Sequence, residues 1–224
     1  MKSWRHLEEI GYATAVPAEQ REPIFGAMFQ LFRSLYPQMD EELAAEIRAR
    51  SEVVRFRRRA IILEYGEVCD HVIFPYRGLV RLAYRRDGEE HTTWMMGEND
   101  IIHAVDSFYS RQPSYERLIA LEDTDGITLH WDDLEELYDQ YPAFNRFGRL
   151  LTECYYRQAY RRAKWVALSA KERYRLLYKE YPGFLGRVPD AVLASYLGIN
   201  KGTLSRIRHA VFRGRNSPFQ DIPV

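Results

Sequence analysis

The sequence predicts an α+β chain: helices, then a β-rich, jelly-roll-like domain, a long helix, and a small helical C-terminal domain. Three observations predict it. Between Val53 and Leu129, short β-branched and aromatic runs alternate with turn signals, of which Asp87-Gly88 is the strongest. Over residues 142–166, Phe144, Phe147, Leu151, Cys154 and Gln158 recur at a 3-4-3-4 spacing, an imperfect heptad stripe. Pro189 to Val211 reads as two helices joined by a tight Leu197-Gly198-Ile199 turn.

In chain order, residues before Pro23 show little pattern and are expected to form an arm, 1–22. Ile24, Met28, Leu31, Phe32 and Leu35 fall at helical spacing, Pro37 interrupts, and a second helix is expected from Asp40 to Arg50. Strands are expected at Arg59–Leu63, His71–Pro75, Leu79–Tyr84, His91–Met96, Ile101–Val105, Arg117–Leu121 and Gly126–His130. Together these segments make a domain over 23–141. A short helix at Asp132–Asp139 precedes the long one, set at 142–167. The heptad stripe suits that helix to pairing with a second copy. Ser169 and Glu172 form a capping box, so a new helix starts there and opens a domain over 168–224.

Composition narrows the function. With 46% hydrophobic and 29% charged residues, the 224-residue chain reads as soluble and globular. No apolar run approaches the roughly 18 residues of a membrane span, and the first residues lack a signal-peptide core. A cytoplasmic location without membrane contact is expected. Cys69 and Cys154 form no CxxC or Cys/His cluster, so they read as reduced thiols and no metal is assigned.

Net charge is zero, but it is unevenly spread. Arg157 to Arg215 holds fourteen basic residues against Glu172, Glu180 and Asp190, a net +11 that leaves −11 for the rest. A basic third on an acidic body is the footprint of a polyanion binder. It coincides with the helix-turn-helix pattern. Asp190 is expected to cap the first helix, and Ile199 to tuck between the two. Asn200 is expected to cap the second, where Leu204 and Ile207 face the core. The expected DNA-facing set is Asn200, Lys201, Gly202, Thr203, Ser205, Arg206 and Arg208, an arginine there being able to pair bidentately with guanine.

These features resemble the Crp/Fnr superfamily of bacterial regulators, over about Ile24 to Phe212. The resemblance rests on Ile62-Leu-Glu-Tyr-Gly-Glu67, Ile73-Phe-Pro-Tyr-Arg-Gly-Leu-Val80, Asp87-Gly88 and Gly97–Asp100. In the C-terminal domain it rests on Lys171-Glu-Arg-Tyr174, Leu193-Ala-Ser-Tyr-Leu-Gly198 and Thr203-Leu-Ser-Arg-Ile207. It implies a cyclic-nucleotide-binding-type β-roll sensor, a dimerisation helix and a sequence-specific transcription regulator. The implied partners are an inverted repeat of double-stranded DNA, a second copy of the chain and RNA polymerase. Base contacts fall on Lys201, Gly202 and Arg206, and phosphate contacts on Asn200, Thr203 and Ser205. Gly202 replaces a glutamate that reads cytosine in many members. After Phe212 too little sequence follows for the full wing of many relatives, and Arg213 and Arg215 are expected at the DNA backbone instead.

The sensor departs from the cyclic-nucleotide pattern. The Gly-Glu-Leu segment, whose glutamate holds the ribose, falls on His103-Ala104-Val105. The segment whose arginine neutralises the phosphate falls near Ser114-Tyr115-Glu116, with Arg117 out of register. The polar pair that meets the adenine falls on Gln158-Ala159. The N-terminal cysteine cluster of redox-sensing members is absent. No cofactor is assigned. Cyclic AMP is not expected, which leaves an unknown small-molecule effector or none; the candidate effector pocket is formed by Ile102, His103, Val105, Ser107, Ser114, Arg117 and Gln158. Two other classes compete: a metal-dependent cupin-like enzyme using His71, His91, His103 and His130, and a partner-binding protein with a degenerate helix-turn-helix. The histidines lack the close spacing of metal ligands, so the chain is expected not to be an enzyme.

Overall fold

The computed structural model describes residues 5–213, with side chains from Leu7 to Ala210. They form two compact units, one up to Cys154 and one from Tyr155 onward.

The first unit is a roll of two four-stranded antiparallel sheets. One has the order β1 (Ala13–Ala15), β2 (Glu52–Phe56), β8 (Thr124–His130) and β4 (His71–Arg77); the other has β3 (Ile61–Leu63), β7 (Glu116–Ala120), β5 (Val80–Arg86) and β6 (Glu89–Met96). Apolar side chains fill the space between them. Helices α2 (Arg21–Leu35), α3 (Glu41–Arg50) and α5 (Trp131–Gln140) belong to the same unit, as does the start of α6 (Pro142–Ala163). A short α1 (Arg5–Glu9) precedes β1, and α4 (Val105–Ser110) lies between β6 and β7.

Local chemistry accounts for the boundaries. Asp40 caps α3 by accepting from the Leu43 N–H at 2.8 Å. His130 caps α5, its Nδ1 accepting from the Asp132 N–H. Asp87 and Gly88 both take positive φ, as a two-residue hairpin between β5 and β6 requires.

Three expectations change. Residues 13–15 pair with β2 instead of lying in an arm, and Leu7, Ala13 and Val16 are buried. Glu52–Phe56 is an additional strand that joins β1 to β8. The strand expected at Ile101–Val105 shrinks to one bridge, Ile102 with Ile73, and the chain then turns into α4.

The second unit comprises the end of α6, a 3-10 turn over Lys164–Ala167, α7 (Ala170–Glu180), α8 (Asp190–Tyr196) and α9 (Lys201–Arg213). The expected capping box opens α7: Ser169 accepts from the Glu172 N–H, and Glu172 accepts from the Ser169 N–H. Tyr174, Leu177, Leu193, Leu197 and Leu204 form the core. Arg162 lies over the Tyr196 ring at 3.6 Å, near Trp165, and donates to the Tyr196 carbonyl at 2.9 Å. Gly214 and everything after it, including Arg215 and the place of any wing, lie outside the described residues.

Gly78, at the turn between β4 and β5, has a φ of 112° and lies against Thr124; a Cβ added there would come within 2.4 Å of the threonine hydroxyl. Gly78→Ala should therefore destabilise the roll by about 2–4 kcal/mol, from backbone strain and overlap together. Chemical denaturation of the two proteins measures this.

Candidate functional site

Two regions hold the residues singled out from the sequence. The first is the helix pair α8–α9. The turn between them puts Gly198 at φ 65°, and the Ile199 N–H donates to the Ala194 carbonyl at 2.9 Å. Leu197, not Ile199, is the buried plug of the turn; Ile199 is only half-buried. Asp190 opens α8 without a side-chain capping bond. Asn200 does cap α9, accepting from the Thr203 N–H at 2.8 Å.

With Leu204 and Ile207 buried, the helical period sends Gly202, Ser205, Arg206 and His209 to the opposite, exposed face, flanked by Lys201. Arg206 folds along the helix towards Thr203 Oγ1 at 3.1 Å. Arg208 lies to one side. Its guanidinium pairs with Asp190 at 2.6 Å and bonds Tyr174, and these partners together raise its pKa against the opposing effect of burial. Arg208 therefore clasps α9 to the start of α8. His209 belongs to the exposed face although the sequence reading passed over it. Its offset of +7 from Gly202 and +3 from Arg206 is the signal that could have found it.

The second region is the roll. Its proposed pocket residues do not converge. Ile102 is wholly buried at its bridge to Ile73. Val105 is exposed at the start of α4. Ser107 and Ser114 are buried but committed: Ser107 donates to the Gln112 carbonyl and accepts from the Cys69 N–H, and Ser114 donates to the Glu116 carbonyl. Arg117 faces outward. It makes two bonds to Glu64 at 2.7 and 2.8 Å, pairs with Glu90 at 3.0 Å, and lies over the Tyr65 ring. Burial would raise the Glu64 carboxyl, but the Tyr65 N–H and Arg117 hold it below its ordinary range. Gln158, in the second unit, hydrogen-bonds the Tyr181 hydroxyl.

The inward position beside Arg117 belongs to Glu116. Burial pushes its carboxyl up, against a hydrogen bond from Thr93 at 2.8 Å. Between the sheets, a cavity of about 20 Å³ is bounded by Phe56, Ile62, Ile73, Leu118 and Thr128, room for about one water. These residues do not fit a cyclic nucleotide. The space is too small, and the ionisable group turned inward on β7 is an acid, which a phosphate would meet unfavourably.

The heptad stripe also divides. Phe144 and Phe147 are core residues of the first unit: they stack at 5.4 Å, and Phe147 meets Phe32 at 4.4 Å. They cannot form a seam with another chain while so packed. Leu151 is half-buried and Cys154 exposed. Farther along α6, Tyr156 and Tyr160 are exposed.

The histidines are dispersed. His71 and His130 meet edge to face at 4.9 Å, His91 stacks on Tyr84, and His103 packs against Phe108 and Tyr109. Among the described residues no group of three His, Cys, Asp or Glu side chains converges as a metal site would. No described helix is long and apolar enough to cross a membrane.

Residues 53–141 match the cyclic nucleotide-binding domain family. No curated protein matches the sequence. Among solved structures, the chain is similar to FixK2 from Bradyrhizobium japonicum, with a TM-score of 0.62 and 17% identity over 72% of this chain and 84% of that one. It is also similar to the c-di-GMP-responsive global regulator CLP of Xanthomonas campestris, with a TM-score of 0.59 and 15% identity over 80% and 97% of the two chains. A cyclic nucleotide-binding domain from Methylobacillus flagellatus gives a TM-score of 0.60 and 15% identity over 72% and 93%. At these identities the likeness is one of fold alone.

Burial lowers the His103 pKa from 6.5 to about 4. Between those values the unfolded chain binds a proton that the folded chain refuses, so stability is highest above pH 6.5 and falls as the pH drops towards 4. The loss should be on the order of 3 kcal/mol. Denaturation at several pH values should show it, and His103→Leu should flatten that part of the profile.

Proposed function

We propose that the chain is a sequence-specific, DNA-binding transcription regulator that acts as a homodimer and takes an effector other than cyclic AMP. One observation carries the reading: α9 is held by a helix-turn-helix turn with its buried side fixed by Leu204 and Ile207. Its opposite side carries small and basic residues, Gly202, Ser205, Arg206 and His209. A helix so held can enter a major groove with its N-terminal half at the base edges. The net +11 of Arg157–Arg215 supplies attraction for the phosphates. The likeness of fold to Crp/Fnr-type regulators agrees with it.

The dimer would present two copies of α9 to an inverted repeat, about 34 Å apart. With Phe144 and Phe147 engaged in their own unit, the pairing surface is assigned to the later part of α6, around Cys154, Tyr156 and Tyr160. RNA polymerase is a further partner of this reading. No chemical step is assigned to any residue.

Operator selection followed by binding of the selected duplex tests the reading. Specific binding should weaken steeply with salt. Arg206→Ala should cost about 1–3 kcal/mol on the operator and relax the preference at one base pair per half-site. Equal weakening on random DNA would assign Arg206 to phosphate. Arg208→Ala should leave the preference intact and lower stability by less than about 1 kcal/mol, because its ion pair is partly exposed.

Sedimentation of the free protein at micromolar concentration should give a dimer, and calorimetry with cyclic AMP should give no heat of binding. A monomer both free and on DNA would remove the dimer from the reading.

A further inference from the structure

A second cavity in the first unit lies on the other side of the β1-β2-β8-β4 sheet, where the helices cover it. It has a volume of about 80 Å³ and is walled by Phe74 and Leu129 of the sheet and by side chains of α2, α3, α5 and α6. The wall is chiefly apolar, but five side chains with polar atoms interrupt it: Ser51, His103, Tyr109, Tyr138 and Thr152, of which Thr152 donates to the Gly148 carbonyl and Tyr109 is largely exposed. Both ring nitrogens of His103 are shielded from solvent and have no hydrogen-bond partner, and the same is true of the Ser51 hydroxyl. A shielded polar group without a partner costs free energy, and two on one cavity wall mark a place where something is missing.

The imidazole is neutral here, since burial holds its pKa near 4. It therefore presents one N–H donor and one bare nitrogen acceptor. Tyr138 also stays neutral, its phenol pushed up to about 12 by burial. The wall offers no charge to a charged ligand. Its volume is about half the roughly 150 Å³ of an apolar cavity that holds benzene, so it suits a molecule of about three to five non-hydrogen atoms.

We propose that this cavity binds a small neutral molecule with a short apolar body and one hydroxyl or amide group, which hydrogen-bonds His103. Phe147, Gly148 and Leu151 of α6 form part of the wall, so such a molecule bears directly on α6. The proposal deepens the regulatory reading by naming where an effector sits and its chemical class. Its test is read without DNA, so failure of either leaves the other standing.

The probes are 2-propanol, xenon and acetate, added to the full-length protein while the imidazole nitrogen resonances of His103 are followed. 2-Propanol should shift them saturably at millimolar concentration, and acetate should not. His103→Leu should weaken 2-propanol binding at least tenfold. His103→Gln, which keeps a donor and an acceptor, should stay within about threefold of the parent. Thermal melts confirm that both variants fold; if His103→Leu does not, the His103→Gln and probe comparisons still decide.

The proposal is overturned if 2-propanol shifts do not saturate, or if acetate binds as well. It is overturned if xenon enters while 2-propanol does not, which would make the cavity a plain apolar void. Ordered waters on His103 that 2-propanol fails to displace would overturn it as well.

Discussion

The first unit depends on one constraint: its β1-β2-β8-β4 sheet is buried on both faces and must be covered on both. β8 shows this most clearly, since six of its seven residues are buried. Thr128 borders the cavity shared with Leu118 of the second sheet, whereas Ile127 and Leu129 border the cavity under the helices, as alternation along a strand requires. Covering the outer face requires α2, α3, α5 and the start of α6 together. Phe32, Phe74, Phe144 and Phe147 form the aromatic contact that fastens α6 there. Four helices with uneven aromatic side chains do not tile a twisted sheet perfectly, and the 80 Å³ cavity lies in that layer.

The same constraint explains why the heptad stripe misled at its start. A 3-4-3-4 spacing marks a helix face that is apolar, and it does not say what covers the face. Phe144 and Phe147 cover their own sheet. Beyond Leu151 the stripe loses its cover, and Cys154 is exposed. Sequence periodicity found the helix and its long extent, while the partner of each turn is a tertiary fact.

Legibility elsewhere followed how local the cause was. The capping box at Ser169, the Asn200 cap and the Asp87-Gly88 hairpin are decided within four residues, and all three were readable. β1 has three residues, Ala-Thr-Ala, and exists because β2 offers it an edge. Ile101–Val105 has strand propensity, but only Ile102 finds a partner, and the chain turns into α4. On α9 the buried positions Leu204 and Ile207 were legible and fixed the outward face. Arg208 was assigned to that face by its charge, whereas Asp190, eighteen positions earlier in the chain, holds it aside.

On the phosphate side, the roll's departure from the cyclic-nucleotide pattern is one residue of parity on β7. Side chains alternate along a strand, so a slip of one exchanges the two faces completely. Here Glu116, Leu118 and Ala120 are buried, while Arg117 and Ile119 are turned the other way. Pairing with β5 sets that phase, Arg117 lying opposite Ala83 and Leu118 opposite Leu82. Leu118 and Leu82 anchor it because each is buried. Turning Arg117 inward would send Glu116 and Leu118 outward and break up its cluster with Glu64, Glu90 and Tyr65. Hydrophobic phase and charge pairing thus favour the same register. That register gives the interior a carboxylate beside Thr93 and leaves the guanidinium outside, where it cannot meet a phosphate.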